Sequence, residues 1–216
     1  MMFLSNKTLI ASSCTLLFTV PAMAGASLDT LLGGDTLFSN NGKILFSDFQ
    51  FTPILNAPQA SDIEVVTLDD GLLFETPVSA DSNTTEIDFD ISYKASGVDV
   101  LLNSVQMQSA GSATGGGTTD IYKTVEDERN EGILALTNAF DDSTQLSFTE
   151  SGFSSEAYVY VTDEVSVDPN DGTAGLSEFS QTFGSTSVSA VPTPTAALAG
   201  MALLGVVGIR RRRPAK

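Results

Sequence analysis

The chain has 216 residues and a formal net charge of −17 at pH 7, with no histidine and a single cysteine. These counts exclude Ser-His-Asp catalysis, histidine-ligated zinc and an internal disulfide. All 27 acidic residues but only four of the basic ones lie in residues 25–191, so this body carries a net charge of −23. Nucleic acid is therefore excluded as a partner by charge repulsion.

The N-terminus has the pattern of a secretory signal peptide over residues 1–24. Lys7 supplies a positive start, a mostly apolar run follows, and the small residues of "PAMAG" suit a signal peptidase. We predict cleavage between Ala24 and Gly25 and export of the mature chain. The only cysteine, Cys14, lies in the segment that this cleavage removes.

Residues 25–183 show the two-residue hydrophobic period that is typical of β-strands. In residues 85–95 the apolar Ile87, Phe89 and Ile91 alternate with polar residues, which indicates a strand with one buried face. Comparable segments are 43–51, 62–68, 71–77, 98–109, 119–126, 132–138, 144–150, 156–167 and 176–183. Turn-forming sequences separate them, without amphipathic helices between. We therefore predict one all-β domain, an antiparallel β-sandwich with jelly-roll-like connections.

Three shorter segments carry expectations of their own. Residues 126–132, "EDERNEG", form either one helical turn or a charged loop. Residues 112–119, "SATGGGTT", form a flexible loop within the domain. Residues 184–191 begin a polar linker that connects the domain to the C-terminal tail.

Carboxylate pairs are the remaining candidates for catalysis. A glycosidase needs two carboxyl groups, one of them with a pKa raised by burial. Asp88 and Asp90 project from the solvent side of an alternating strand, where we expect nothing to raise their pKa. The other acidic pairs fall at or near turns, where Asp is common: Asp69 and Asp70, Asp141 and Asp142, and Asp163 and Glu164. We therefore predict that the protein is not an enzyme.

The acidic segment 168–173, "DPNDGT", is the best candidate for a calcium site. Calcium takes about six to eight oxygen ligands from Asp, Asn and carbonyl groups. Asp168, Asn170 and Asp171 would supply the side-chain oxygens. The spacing departs from that of an EF-hand loop, because Asp171 and Gly172 come one residue too early. The alternative is a β-turn after a strand, and no other cofactor is predicted.

Glycan binding would need exposed aromatic rings on which sugars can stack. The chain has no tryptophan, and its tyrosines are Tyr93, Tyr122, Tyr158 and Tyr160. Tyr93 lies on the apolar face of its strand and is predicted to be in the core. Tyr158 and Tyr160 lie on one face of their strand, and Val159 and Val161 lie on the other. One of these two faces is therefore either buried in the sandwich or exposed as a patch. We interpret these tyrosines as structural.

The C-terminus combines a proline-containing box, an apolar run over residues 195–209 and a basic end over residues 210–216. Counted from Pro192, the apolar stretch has 18 residues, the lower limit for a single transmembrane helix. The positive-inside rule places the basic end in the cytoplasm. Its arginines are Arg210, Arg211, Arg212 and Arg213. This pattern alone describes a permanent membrane anchor.

The tail, residues 192–216 with its box Val191, Pro192, Thr193 and Pro194, resembles the PEP-CTERM sorting signal. That signal is also catalogued as an ice-binding-protein C-terminal domain. Exosortase-type membrane enzymes recognise it in exopolysaccharide-producing bacteria. The box departs from the usual motif at Thr193, where Glu is usual. "GKILFSDFQF", "ISYKASG" and "GLSEFSQTF" also resemble segments of small β-rich proteins with such tails.

The resemblance implies an exosortase-type partner, an inner-membrane intermediate and delivery to the cell surface or extracellular matrix. Together with a body that offers little catalytic chemistry, it leads to our main hypothesis of a secreted structural or adhesive protein. The alternative is a calcium- or glycan-binding extracellular module, with exopolysaccharide as a partner.

Overall fold

A computed structural model describes residues 25–83, 85–128, 131–141 and 147–188. The predictions for residues 1–24 and for the sorting tail, with its box, apolar run and arginines, lie outside these ranges. Ala24, on one side of the predicted cleavage site, also lies outside the described ranges. Gly25, on the other side, pairs with Val66 in the backbone. Within the described part, no helix is long and apolar enough to cross a membrane.

The described residues form twelve strands, one α-helix and one short 3-10 helix. The strands are β1 (Gly25–Ser27), β2 (Leu37–Phe38), β3 (Ile44–Leu55), β4 (Glu64–Thr67), β5 (Gly71–Asp81), β6 (Ile87–Gly97), β7 (Val100–Thr114), β8 (Thr118–Glu128), β9 (Glu131–Asp141), β10 (Ser147–Glu156), β11 (Tyr158–Asp168) and β12 (Thr173–Ser187). The α-helix is α1 (Leu28–Leu32), and the 3-10 helix is Ala60–Asp62.

The strands form two antiparallel six-stranded sheets. Sheet A has the order β1-β4-β5-β12-β7-β10, and sheet B has the order β2-β3-β6-β11-β8-β9. From β5 to β12 the chain crosses between the sheets at every step except the β8–β9 hairpin, which gives the strand order of a jelly roll. The predicted all-β sandwich is confirmed.

The core lies between the sheets and follows from the two-residue period. Along β6, every second side chain from Ile87 to Ala95 is buried, while those between are half-buried on the outer surface. Tyr93 is fully buried, and its ring centre lies 5.5 Å from that of Phe49 and 6.1 Å from that of Phe74. The prediction that Tyr93 belongs to the core is therefore confirmed.

Some boundaries differ from the sequence prediction because polar residues take part in backbone pairing. Residues 184–187, predicted as linker, continue β12 and pair with β7 as far as Ser187 and Val100. The described residues of "EDERNEG", 126–128 and 131–132, belong to β8 and β9 and form neither the predicted helical turn nor the predicted charged loop. The loop "SATGGGTT" shrinks to residues 115–117 between β7 and β8.

Helix α1 was not predicted, because it has only five residues. Leu28 and Leu31, three positions apart, are both buried against the sandwich. The sequence signal is a single pair of apolar residues, which is too short to establish a helical period.

Gly172 is required where the β11–β12 turn meets the end of β7. A Cβ at this position would overlap the carbonyl oxygen of Thr114 and the backbone of Gly115. Gly172→Ala should therefore lower the free energy of unfolding by about 1–3 kcal/mol, measured by urea denaturation. Gly152→Ala is the matched control, because the nearest atom to its Cβ is the Asn103 carbonyl oxygen at 3.8 Å. Equal losses for both variants would contradict this explanation.

Candidate functional site

The outer surface of sheet B carries the exposed tyrosines and a group of carboxylates, and we call it the outer face. It is formed by the half-buried or exposed side chains of β6, β8 and β11. At one end lie Lys94, Tyr158 and Tyr160. At the other end lie Asp88, Asp90, Tyr122 and Glu164, and between them lie Ser92, Thr124 and Thr162.

The aromatic end is built by a tyrosine pair and a lysine on neighbouring strands. The rings of Tyr158 and Tyr160 meet edge to face with centres 6.0 Å apart. Lys94 Nζ lies 4.2 Å from the centre of the Tyr158 ring and 5.6 Å from that of Tyr160, a cation–π arrangement. Val159 and Val161 are the buried face of this strand. The structural interpretation of the tyrosine pair is therefore corrected, since these rings face outward and Tyr158 is 40% exposed.

The acidic end is a groove of about 390 Å³ beside Tyr122, whose side chain is 54% exposed. Asp90 and Glu164 are direct neighbours across β6 and β11, and Glu164 is the neighbour of Tyr122 across β11 and β8. Burial raises the pKa of Asp90, and the charges of Glu164 and then Asp88 raise it further. The expectation that nothing would raise the pKa of this carboxyl group is wrong, because Asp90 is half-buried and neighbouring strands place like charges beside it.

The two ends are joined by a polar strip along the middle of the sheet. Tyr160 and Glu164 are four residues apart on β11, which corresponds to about 13 Å at the usual rise per residue. Ser92, Thr124 and Thr162 cover this distance with short hydroxyl side chains. The outer face therefore offers aromatic rings, hydroxyl groups and carboxylates along one line.

The calcium candidate at Asp168, Asn170 and Asp171 is a tight turn. The Gly172 N–H donates to the Pro169 carbonyl at 2.7 Å, and the Asn170 N–H donates to Asp168 Oδ1 at 2.9 Å. The Asn170 side-chain amide donates to the Gly116 carbonyl at 3.1 Å. The alternative of a β-turn is confirmed. In the described ranges no three acidic side chains come close enough to bind one metal ion, and calcium binding stays a prediction.

A second polar group lies inside the sandwich, and we call it the buried cluster. It consists of Lys123 on β8, Asp163 on β11 and Gln181 on β12, whose exposed fractions are 1%, 0% and 0%. Lys123 Nζ contacts both Asp163 Oδ1 and Gln181 Oε1. The Gln181 amide nitrogen donates to Asp163 Oδ2 at 3.0 Å. Burial lowers the pKa of Lys123, while the charge and hydrogen bond of Asp163 oppose this shift.

Sequence reasoning missed the buried cluster and placed Asp163 and Glu164 near a turn, although both lie within β11. The signal was present in the two-residue period. Asp163 occupies the same strand face as Val161 and Val165, and Lys123 that of Ile121 and Val125. Gln181 likewise lies between Phe179 and Phe183, which are both buried. A polar residue in an otherwise apolar register indicates a buried polar partner.

No protein-family model matches the sequence, and no curated protein matches it significantly. Among solved structures, TmCBM61 in complex with beta-1,4-galactotriose is 12% identical, with a TM-score of 0.34, and the match covers 63% of this chain and 88% of that one. A family 29 carbohydrate-binding module from Piromyces equi is 12% identical, with a TM-score of 0.26, covering 74% and 91%. A family two carbohydrate esterase from Cellvibrio japonicus is 13% identical, with a TM-score of 0.25, covering 68% and 38%.

Asp90→Asn should stabilise the protein at neutral pH. The raised pKa means that protonation of Asp90 stabilises the wild-type fold. This contribution of the wild-type residue is present below pH 3.8, the ordinary pKa, and it is lost as the pH rises through the folded-state pKa. Asparagine removes the charge, so the variant should have a higher urea midpoint at neutral pH and no such advantage below pH 3.8.

Asp35→Asn is the control for the loss of one negative charge, because Asp35 is exposed in the loop between α1 and β2. A gain for Asp90→Asn that persists unchanged below pH 3.8, or an equal gain for the control, would contradict the local explanation.

Proposed function

We propose that the domain is an extracellular glycan-binding module and that the outer face of sheet B binds a neutral polysaccharide. The observation that carries the proposal is the presence of exposed tyrosine rings and carboxylates on one sheet face. Pyranose rings present apolar faces that pack on aromatic side chains, and their hydroxyl groups hydrogen-bond to nearby polar groups. An elongated face of this kind suits an extended chain of sugars better than a single sugar.

Each end of the outer face has a distinct role in this proposal. Tyr122 and Tyr158, exposed by 54% and 40%, provide the stacking surfaces. Asp88, Asp90 and Glu164 accept hydrogen bonds from sugar hydroxyl groups at the acidic end. Lys94, held over the tyrosine pair, donates hydrogen bonds at the other end.

The charge of the domain favours a neutral ligand over an acidic one. Residues 25–191 carry a net charge of −23, and the acidic end adds a local concentration of carboxylates. A polysaccharide rich in uronic acids would bring further negative charge to this surface and be repelled. The uncharged hydroxyl groups of a neutral polysaccharide are not repelled, and they can donate hydrogen bonds to the carboxylates.

The proposed activity is binding without catalysis, and it supplies a mechanism for the adhesive role inferred from the tail. We propose further that an exosortase-type enzyme processes the tail at the inner membrane and that the body then remains at the cell surface or in the extracellular matrix. The support is the sequence of the box, the apolar run and the four arginines. A module that binds exopolysaccharide would be retained there by its ligand.

Tyr122→Ala and Tyr158→Ala should each weaken binding to neutral polysaccharide. Loss of one stacking ring removes about 1 kcal/mol, which corresponds to about a fivefold higher Kd. The measurement is affinity electrophoresis against a panel of neutral and uronic-acid polysaccharides, followed by calorimetry on the ligand that retards the protein most. Gln108→Ala, exposed on the outer surface of sheet A, is the matched control.

Retention by the uronic-acid members alone would contradict the proposed ligand class. Wild-type affinity in both tyrosine variants would contradict the proposed face. Breakdown of the polysaccharide during the assay would contradict binding without catalysis.

Replacing Arg210, Arg211, Arg212 and Arg213 with Ser should release unprocessed full-length chain into the exported soluble fraction. An 18-residue segment rich in Ala and Gly is marginal for membrane insertion, so the arginines are needed to hold it in place. In the wild type, mass spectrometry should find a C-terminus near Val191 to Pro194. Lys216→Ser is the control for loss of a single positive charge. Wild-type protein that keeps "RRRRPAK" and fractionates wholly with the inner membrane would instead establish a permanent anchor.

A further inference from the structure

We propose that Lys123 and Gln181 become joined by an intramolecular isopeptide bond, with Asp163 as the acid–base group of the reaction. The three side chains of the buried cluster already contact one another. The product would be an amide between Lys123 Nζ and Gln181 Cδ, with release of one ammonia molecule. This site is separate from the outer face and does not depend on glycan binding.

The positions of the reacting atoms follow from the pairing of β8, β11 and β12. Lys123 and Asp163 are direct neighbours across β8 and β11 in sheet B, and their side chains point into the sandwich. Gln181 reaches them from sheet A, where it lies between two buried phenylalanines. Lys123 Nζ contacts Gln181 Oε1, and the nucleophile therefore lies beside the carbonyl group that it would attack.

Asp163 contacts both nitrogen atoms that exchange protons in the reaction. Its Oδ1 is the partner of Lys123 Nζ, and its Oδ2 accepts a hydrogen bond from Gln181 Nε2, 3.0 Å away. One carboxyl group can therefore take a proton from the nucleophile and give one to the leaving nitrogen. A bond between Lys123 and Asp163 is the other chemical option, but it would consume the carboxyl group and leave only the Gln181 amide, which does not titrate.

The reaction balances without an external reagent. Asp163 first takes a proton from the Lys123 ammonium, which leaves a neutral amine. The amine electron pair forms the Nζ–Cδ bond while the carbonyl electron pair moves to Oε1. Asp163 then gives its proton to the Gln181 nitrogen and accepts one from Nζ. The carbonyl re-forms as the bond from Cδ to the amide nitrogen breaks, and the released ammonia takes the proton from Asp163 to leave as ammonium.

The surroundings of the cluster favour this chemistry. Burial lowers the pKa of Lys123 and so favours the amine that can act as a nucleophile. Burial, and then the charge of Asp163, raise the pKa of Tyr93, which stays a neutral phenol. Its hydroxyl group is buried and has no hydrogen-bond partner among the described residues. Tyr93 therefore keeps an uncharged hydroxyl group on which the charge of Asp163 acts.

The bond would link the two sheets covalently in a domain that has no disulfide. Lys123 and Gln181 are 58 residues apart in the chain, on β8 of sheet B and β12 of sheet A. The only cysteine of the sequence is Cys14, which precedes the described residues. A cross-link between sheets restricts the unfolded chain as a disulfide does, and it resists reducing agents.

Mass spectrometry of the purified full-length protein tests the proposal directly. Under denaturing conditions, the intact mass should be lower than the sequence mass by one ammonia molecule. After proteolysis, fragmentation should identify a branched peptide in which Lys123 is joined to Gln181, and trypsin should not cleave after Lys123. The branched peptide is decisive, because ammonia can also be lost from other amide side chains.

Asp163→Asn keeps both reacting side chains but removes the acid–base group, so its peptides should be linear and carry the full mass. Lys123→Arg keeps a cation in the cluster and should likewise give linear peptides. Gln106→Glu, which changes an amide outside the cluster, is the control that keeps the branched peptide.

Linear wild-type peptides containing Lys123 and Gln181 would overturn the proposal, and this result needs no variant to fold. Loss of a water molecule with a branch between Lys123 and Asp163 would also overturn it. A branched peptide in Asp163→Asn would overturn the role given to Asp163.

Discussion

Lys123, Asp163 and Gln181 occupy the space between two sheets whose inner faces are otherwise largely apolar. Burying an ionised group costs roughly several kcal/mol unless a well-placed hydrogen-bonding or charged partner replaces the water. The cluster meets this condition only while β8, β11 and β12 keep their present register. A slip of one residue in any of these strands would turn its cluster side chain outward. The buried cluster therefore constrains strand position more strictly than the apolar contacts around it.

The same register determines what the outer face presents. Tyr122 precedes Lys123 and Glu164 follows Asp163, so inward placement of the cluster turns Tyr122 and Glu164 outward. The candidate glycan site and the buried cluster are thus opposite faces of the same strands. Because the lysine charge is used inside the sandwich, it does not neutralise the outer carboxylates. Burial, and then the charges of Glu164 and Asp88, raise the pKa of Asp90 on this face.

The two-residue period predicted ten of the twelve described strands and the sandwich, but it missed β1 and β2, which have only three and two residues. It could not decide which face of "YVYV" is buried, since both tyrosine and valine suit a core. Asp163 and Glu164 were predicted to lie near a turn because Asp is common in turns. The valines on either side of them nevertheless continue the two-residue period of the strand. Residues 184–187 were predicted as linker because Gly, Ser and Thr are polar, whereas their backbone groups pair with β7. Composition describes side chains, and these differences arise from backbone pairing and long-range partners.

A ligand bound to the outer face would apply force to sheet B, while sheet A would receive that force only through the core. Apolar contacts between sheets are non-directional and oppose sliding weakly in comparison with a directional bond. The buried cluster connects β8 and β12 at one fixed point, and β11, which carries both Asp163 and the tyrosine pair, runs beside β8. A covalent bond between Lys123 and Gln181 would transmit load between the sheets at that point. Adhesion at the outer face and cross-linking in the interior are thus physically compatible, and the second would let a cysteine-free domain withstand the load that the first imposes.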